Sequence, residues 1–348
     1  MRKSPPPAPQ PLLDGLDLEH LGLDRIEQLQ RELEQRKQAL LAPPPPKRRR
    51  KPGDLGEDRL RDLVEAHLAI EAEEAAQAGA LGYMARALTL ATMPHSRQPY
   101  SEFQRRNGAF MMSMHAPSSV GLPYGSKPRL LVAFLTTQAV RTGQRDILLG
   151  DSLSDFMREL GLQPTGGRWG SITGLKQQMT RLFSSAVTCL WENQQATAIA
   201  TMPIVSKAQL WWDPKSPGQA ALWESSVRLG EEFFNEVTGH PVPIDLRAVR
   251  AIKQSPMALD IYFWLTHRMS YLKKSTAHRP IPWAALKLQF GADYADTAQG
   301  VRDFRKQFVG HLRKVLTVYP QARVEDSPAG LVLKPSPTHV RIAAAAKL

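Results

Sequence analysis

The stretch PTGGRWGSITGLKQQMTRLF, residues 164–183, decides between two folds. Glycines packed together ahead of a basic helix either cradle the phosphates of a nucleotide or form the turn that aims a helix at a nucleic acid. A phosphate loop needs G-x-x-x-x-G-K-[ST], because backbone N–H groups wrap the phosphates while Lys and Ser/Thr reach oxygen and metal. GGRWG lacks that pattern. Nearby GLPYGSKP, residues 121–128, has three residues between its glycines, a Ser before the Lys and a Pro after it. The spacing G-x-G-x-x-G is missing too, and the apolar run ahead of GGRWG has a helical period, so the dinucleotide-binding context is absent.

The helix that follows fits the other reading. Ile172, Leu175, Met179, Phe183 and Ala186 recur at helical spacing, and the opposite face carries Lys176, Gln177, Thr180, Arg181 and Ser184 with no acid. Such a helix docks on its domain with one face and meets phosphates and base edges with the other. Glycines 166, 167 and 170 set the turn. Arg168 at the helix entrance is a candidate backbone contact, and Trp169 beside it is either a second contact or a core anchor.

The pattern occurs twice, with a period of about 129 residues, and such repeats reveal architecture before local detail does. A first helix starts at Pro128 with Leu131, Phe134 and Leu135 facing inward, and its twin starts at Pro256 with Leu259, Tyr262 and Phe263. The second helix reads Leu153, Phe156, Leu160, Gly161 in one copy and Trp283, Leu286, Phe290, Gly291 in the other. The third helix has its twin in Val301, Phe304, Phe308, Leu312 and Val315, with Arg302, Arg305, Lys306 and Arg313 on the outer face. A β-hairpin is expected after each, in TCLWENQQATAIATMPIV and in LTVYPQARVEDSPAGLVLKP. Three helices and a hairpin make a winged helix. A solvated basic face is the default for any one helix; two equivalent faces of the same sign favour DNA. Lys273, Lys274, His278 and Arg279 before the second helix-turn-helix, and Arg97, Arg105 and Arg106 before the first copy, add cations that position phosphates without reading sequence.

A formal net charge of +12 over 348 residues suits an anionic partner. The absence of any run of 18 apolar residues favours nucleic acid over a membrane. MRKSPPPAPQ lacks the apolar core of a secretory signal. A single cysteine, Cys189, fits a reducing cytosol and reads as a packed thiol. The Phe110, Met112, Met114 stripe reads as a core strand. No metal, cofactor or catalytic motif is found: H-E-x-x-H, C-x-x-C, G-x-S-x-G and His-x-His are all missing. Tyr100, Tyr124 and Tyr271 are packing or interface residues on this reading, and the chain is not expected to be an enzyme.

Five regions are expected. Residues 1–52 are a proline-rich, partly disordered and helical extension, in which the Leu16–Leu41 stripe is either a surface helix or a partner-docking one. It ends in the basic run PPPPKRRRK, residues 43–51. Residues 53–93 are a helical connector, 94–222 and 223–340 the two winged-helix domains, and 341–348 a tail. The fold class is mainly α with small β wings.

The run PHSRQPYSEFQRRNGAFMMSMHAPSSVGLPYGSKPRLLVAFLTTQAVRT, continued by LGDSLSDFMRELGLQPTGGRWGSITGLKQQMTRLFSS, resembles the plasmid-encoded RepA family of replication initiators of broad-host-range bacterial plasmids. The resemblance is specific from about residue 94 to 210 and looser to about 335. It implies a bacterial cytoplasmic protein that binds repeated sites (iterons) in a plasmid origin. It also implies opening of adjacent A·T-rich DNA and recruitment of host DnaB helicase and DnaA. Related initiators pass from a repressing dimer to an iteron-bound monomer, and that switch extends to this chain through the resemblance alone. The alternative is a dimeric winged-helix repressor on an operator; the rival of another class is a primase or nicking enzyme.

Overall fold

The computed structural model describes residues 57–167, 170–192, 195–210, 225–272, 279–291 and 294–340. The chain divides into two compact units, Met1–Lys51 and Pro52–Leu348. The Leu16–Leu41 stripe, the basic run and the 341–348 tail lie outside the described residues.

Both copies of the repeat take shape as the apolar spacing requires. In the first, α3 (Ser126–Thr142) is followed by α4 (Leu153–Glu159), α5 (Ser171–Phe183) and the strands β5 (Ala186–Glu192) and β6 (Thr197–Pro203). The second has α8 (Pro256–Tyr271), α9 (Trp283–Phe290), α10 (Ala298–Val318), β10 (Val324–Ser327) and β11 (Gly330–Leu333). The inward residues of both first helices are buried. Hydroxyl caps fix several starts: Ser152 Oγ accepts from Asp155 N at 3.1 Å, and Ser255 Oγ accepts from Ala258 N at 3.1 Å just ahead of Pro256. α5 stops at Phe183, earlier than its apolar spacing suggested, and Ala186 opens β5.

The architecture is mixed α/β, with four small antiparallel sheets among the described residues. Strand content exceeds two wings because the first copy carries an inserted hairpin, β2 (Glu102–Asn107) and β3 (Phe110–His115). β3 pairs with β5, Met112 opposite Cys189, and so extends the first hairpin into the sheet β2-β3-β5-β6. Phe110, Met112 and Met114 are buried there. The second hairpin has two strands, with Ile281 bridging Leu331 through bonds of 2.8 and 2.9 Å.

Each copy is preceded by a helix, a strand and a short helix. These are α1 (Glu57–Ala72), β1 (Leu81–Ala85) and α2 (Arg86–Leu90) before the first, and α6 (Glu231–Gly239), β9 (Pro241–Asp245) and α7 (Leu246–Ile252) before the second. The 53–93 region is therefore not helical throughout. β1 pairs antiparallel with β9, Tyr83 opposite Pro243. α1 packs on α7 and α10 of the second copy, while α6 packs on α3 and β6 of the first. The copies interleave instead of following one another as separate beads. Between them, β4 (Asp146–Leu148), β7 (Val205–Gln209) and β8 (Ser226–Leu229) form one sheet, in which β8 joins first-copy strands.

Candidate nucleic-acid interface

The glycine-rich loop is built to start α5. Gly170 must lack a side chain, because a Cβ there would lie 2.3 Å from the Gly166 carbonyl oxygen. Thr165 N donates to Ser171 Oγ at 2.8 Å, and Ser171 N donates to Thr165 Oγ1 at 2.9 Å. Ile172 N donates to the Thr165 carbonyl and Gly174 N to the Gly170 carbonyl. These N–H groups, which a phosphate loop would turn toward its ligand, are already satisfied inside the protein. Arg168 and Trp169 lie outside the described residues.

α5 then divides into two faces. Ile172, Leu175, Met179 and Leu182 are buried, as is Gln178, whose Oε1 accepts from Tyr124 N at 2.9 Å. Lys176, Gln177, Thr180 and Ser184 are exposed. Thr180 Oγ1 donates to the Lys176 carbonyl at 3.0 Å, a bond within the helix. Arg181 departs from the outer face: it is half-buried, donates from Nη1 to the Leu122 carbonyl at 3.0 Å, and sits 5.4 Å from the Tyr124 ring centroid. Its sequence position marked it as a cation of the outer face; the structure uses it to hold the 121–124 loop.

In the second copy Arg302, Lys306 and Arg313 are exposed on one stripe of α10, with Phe304, Phe308, Leu312 and Val315 buried opposite. Arg302 Nη2 donates to Gln299 Oε1 at 2.7 Å, which orients the guanidinium along the helix. Arg305 is tied to the hairpin, with Nη2 2.7 Å and Nε 3.0 Å from Asp326 Oδ1, and its guanidinium lies 5.3 Å from the Trp283 ring centroid. Arg279 is exposed at the entrance to α9, while Lys273, Lys274 and His278 lie outside the described residues.

Of the three arginines ahead of the first copy, Arg97 and Arg106 are exposed. Arg105 is not a phosphate contact: it is buried, stacked 4.2 Å over the Phe103 ring and within 3.4 Å of Thr92 Oγ1. In-and-out alternation along β2 turns it inward, and β2 carried no apolar signal that would have revealed the strand. Sequence reading also missed Lys127, half-buried at the start of α3 against Gly174 of α5, where burial lowers its pKa. Cys189 is buried and its thiol is pushed up to about 12, chiefly by burial, which disfavours the thiolate form.

What remains outward on the two third helices is chemically consistent. Lys176 stands beside the Gln177 amide and the Thr180 and Ser184 hydroxyls on α5, and α10 presents three cations on one stripe. Cations neutralise phosphates, and Gln or Arg can form paired hydrogen bonds with base edges in a major groove.

The family model described as plasmid encoded RepA protein matches residues 122–284, a span that contains α3 to α8 and all of the glycine-rich loop. Over that span the chain is RepA-like in the plain sense that the family's own pattern fits it. No curated protein matches the chain. Two solved structures are similar in outline. A selenomethionine derivative of domains 2 and 3 of RctB has 10% identity, covers 71% of this chain and 95% of that one, and has a TM-score of 0.45. A second structure of RctB domains 2-3 has 11% identity, 69% and 85% coverage, and a TM-score of 0.41. Among the described residues no helix is long and apolar enough to cross a membrane.

Proposed function

We propose that this chain, RepA-like over residues 122–284, is a plasmid replication initiator that binds iterons in its origin through two winged-helix units. The observation that carries the reading is the repeated order of elements, in which α5 and α10 each bury an apolar stripe and turn basic and amide groups outward. The Ile281–Leu331 bridge supports the winged-helix assignment of the second unit, because it ties the segment ahead of α9 to the hairpin edge. The mechanism is binding energy, not bond chemistry: the chain is a DNA-binding protein and not an enzyme. Cations displace counterions from phosphates, α5 and α10 enter major grooves, and the distortion they impose lowers the cost of melting adjacent A·T-rich steps. Recruitment of DnaA and DnaB, control of copy number, a dimer-to-monomer switch and a bacterial cytoplasmic setting follow from the RepA likeness and belong to the same proposal.

The test is footprinting of the full-length chain on the DNA flanking its own gene. Protected direct repeats are the expected result. Protection of a single inverted repeat would replace the initiator with a dimeric operator-bound repressor, and metal-dependent nicking or primer synthesis in the same samples would replace it with an enzyme.

A further inference from the structure

A second concentration of positive charge lies away from the outer faces of α5 and α10. Arg59 on α1, Arg250 at the end of α7, Lys253 just after it and Lys314 on α10 line one solvent-open cavity of about 50 Å³, together with Asp62 and Ser255. A water needs roughly 10–15 Å³ on this measure, so the space accommodates a group with several oxygens.

The simpler account is a solvated basic patch, and four features argue against it. The four cations come from three elements that are far apart in sequence. Among the described residues no carboxylate ion-pairs with any of them. Lys314 is held in an unfavourable place, its pKa lowered by burial and by the charge of Arg59. The side-chain stems are also fitted: Gly161, at φ +70° beyond α4, leaves room for Arg250, whose Cγ would lie 3.0 Å from a Cβ at that position. Ser255 is already engaged as the α8 cap and with His311 Nδ1 at 3.0 Å, so recognition falls to the cations. Asp62 in the lining and the nearby Glu159 carboxylate offset only part of this charge, and a cavity with a net excess of cations lowers its energy when an anion enters.

We propose that this cavity is a binding site for a phosphate group, supplied either by the backbone of bound DNA or by a free phosphorylated ligand. The DNA source rests on the function proposed above; the free-ligand source does not. Because the site joins α1, α7 and α10, an occupant would brace the seam where the two copies interleave.

The experiment compares the full-length chain with Lys253→Gln/Lys314→Gln, and with Lys253→Gln alone should the double variant fail to fold. One arm follows thermal unfolding against inorganic pyrophosphate; the other measures the salt dependence of binding to a 20-base-pair duplex. A pyrophosphate-induced rise in Tm for the parent chain but not the variant supports a free phosphorylated ligand. A log–log salt slope shallower by about 0.9 for each lost phosphate contact, with no pyrophosphate effect, supports the DNA backbone. If both readouts are identical in parent and variant, the proposal is overturned. A parent chain that binds no DNA sinks the initiator reading, and the pyrophosphate arm still decides this one.

Discussion

Arg129 of α3 and Asp260 of α8 form a buried ion pair that joins the first helices of the two copies, with Nε–Oδ1 2.7 Å and Nη2–Oδ2 2.6 Å. Arg129 also donates to the carbonyls of Met93, Pro94 and Gly125, and His95 Nε2 lies 2.7 Å from Asp260 Oδ2. Removing one partner strands the other charge out of water. Arg129→Met should therefore destabilise the chain by about 3–5 kcal/mol, whereas adding Asp260→Leu should recover much of the loss. Urea unfolding of the single and double variants checks this; equal loss in both would mean that the carbonyl contacts, not the ion pair, dominate.

Acid should weaken the fold well above the range of ordinary carboxylates. His267, His311 and His339 are each lowered to about 4 from 6.5, in every case chiefly by burial. A lowered folded-state pKa means that the unfolded chain binds the proton first. Stability is then complete above about 6.5 and declines as pH falls toward 4, by up to about 1.4 kcal/mol per pH unit for each histidine. Asp260 is different. Burial raises its pKa, but Arg129 and His95 outweigh that and hold it below 3.8, so its contribution is lost only further down. Denaturation midpoints at pH 7, 5.5 and 4.5 should fall progressively; a flat profile would show that the histidines ionise without unfolding.

Arg305 couples α10 to the second hairpin, so its loss should read as local loosening before it reads as lost affinity. Arg305→Ala removes an ion pair in which both side chains are about one-third exposed, a contribution to global stability of about 1 kcal/mol or less. The expected signature is faster hydrogen exchange in β10 and β11 with exchange in α8 unchanged.

The outward cations give a separate test of DNA contact. Lys176→Ala with Gln177→Ala should flatten the salt dependence of specific binding by about 0.9 if one phosphate contact is lost, and Lys306→Ala with Arg313→Ala by about twice that. Arg181 and Arg305 are left in place because both have internal partners. An unchanged slope in either variant, with the fold intact, would remove that helix from the interface.

The helices of the repeat were legible in sequence because a buried stripe of Leu, Phe and Met at helical spacing has few other uses. The seam was not. β1 and β9 begin 160 residues apart, at 81 and 241, while α3 and α8 begin 130 apart, at 126 and 256. The β2–β3 hairpin inserted into the first copy breaks a constant period exactly where the strands would have to be recognised. Within the candidate interface, outward residues such as Lys176 and Arg313 followed from helical spacing alone. The inward turn of Arg181 and the capture of Arg305 by Asp326 depend on a loop and a hairpin that one-dimensional spacing does not place.

Where the N-terminal boundary of the fold lies can be settled by two truncations. Removal of residues 1–52 should leave the footprint in place, because the first described element, α1, starts only at Glu57. It should weaken non-specific DNA binding through loss of Lys47, Arg48, Arg49, Arg50 and Lys51. Removal of residues 1–72 should behave differently, since it takes away α1, whose buried Leu63 and partly buried Ala66 and Ile70 pack into the core. Loss of Leu63 alone would expose a cavity worth about 2–5 kcal/mol, and stripping a whole helix from α7 and α10 should cost more. The expected result is a sharp drop in Tm and a lost footprint for the longer deletion only. Should the shorter deletion also lose the footprint, the extension takes part in recognising the origin; should the longer one keep it, α1 is dispensable and the interleaving of the copies contributes little to the fold.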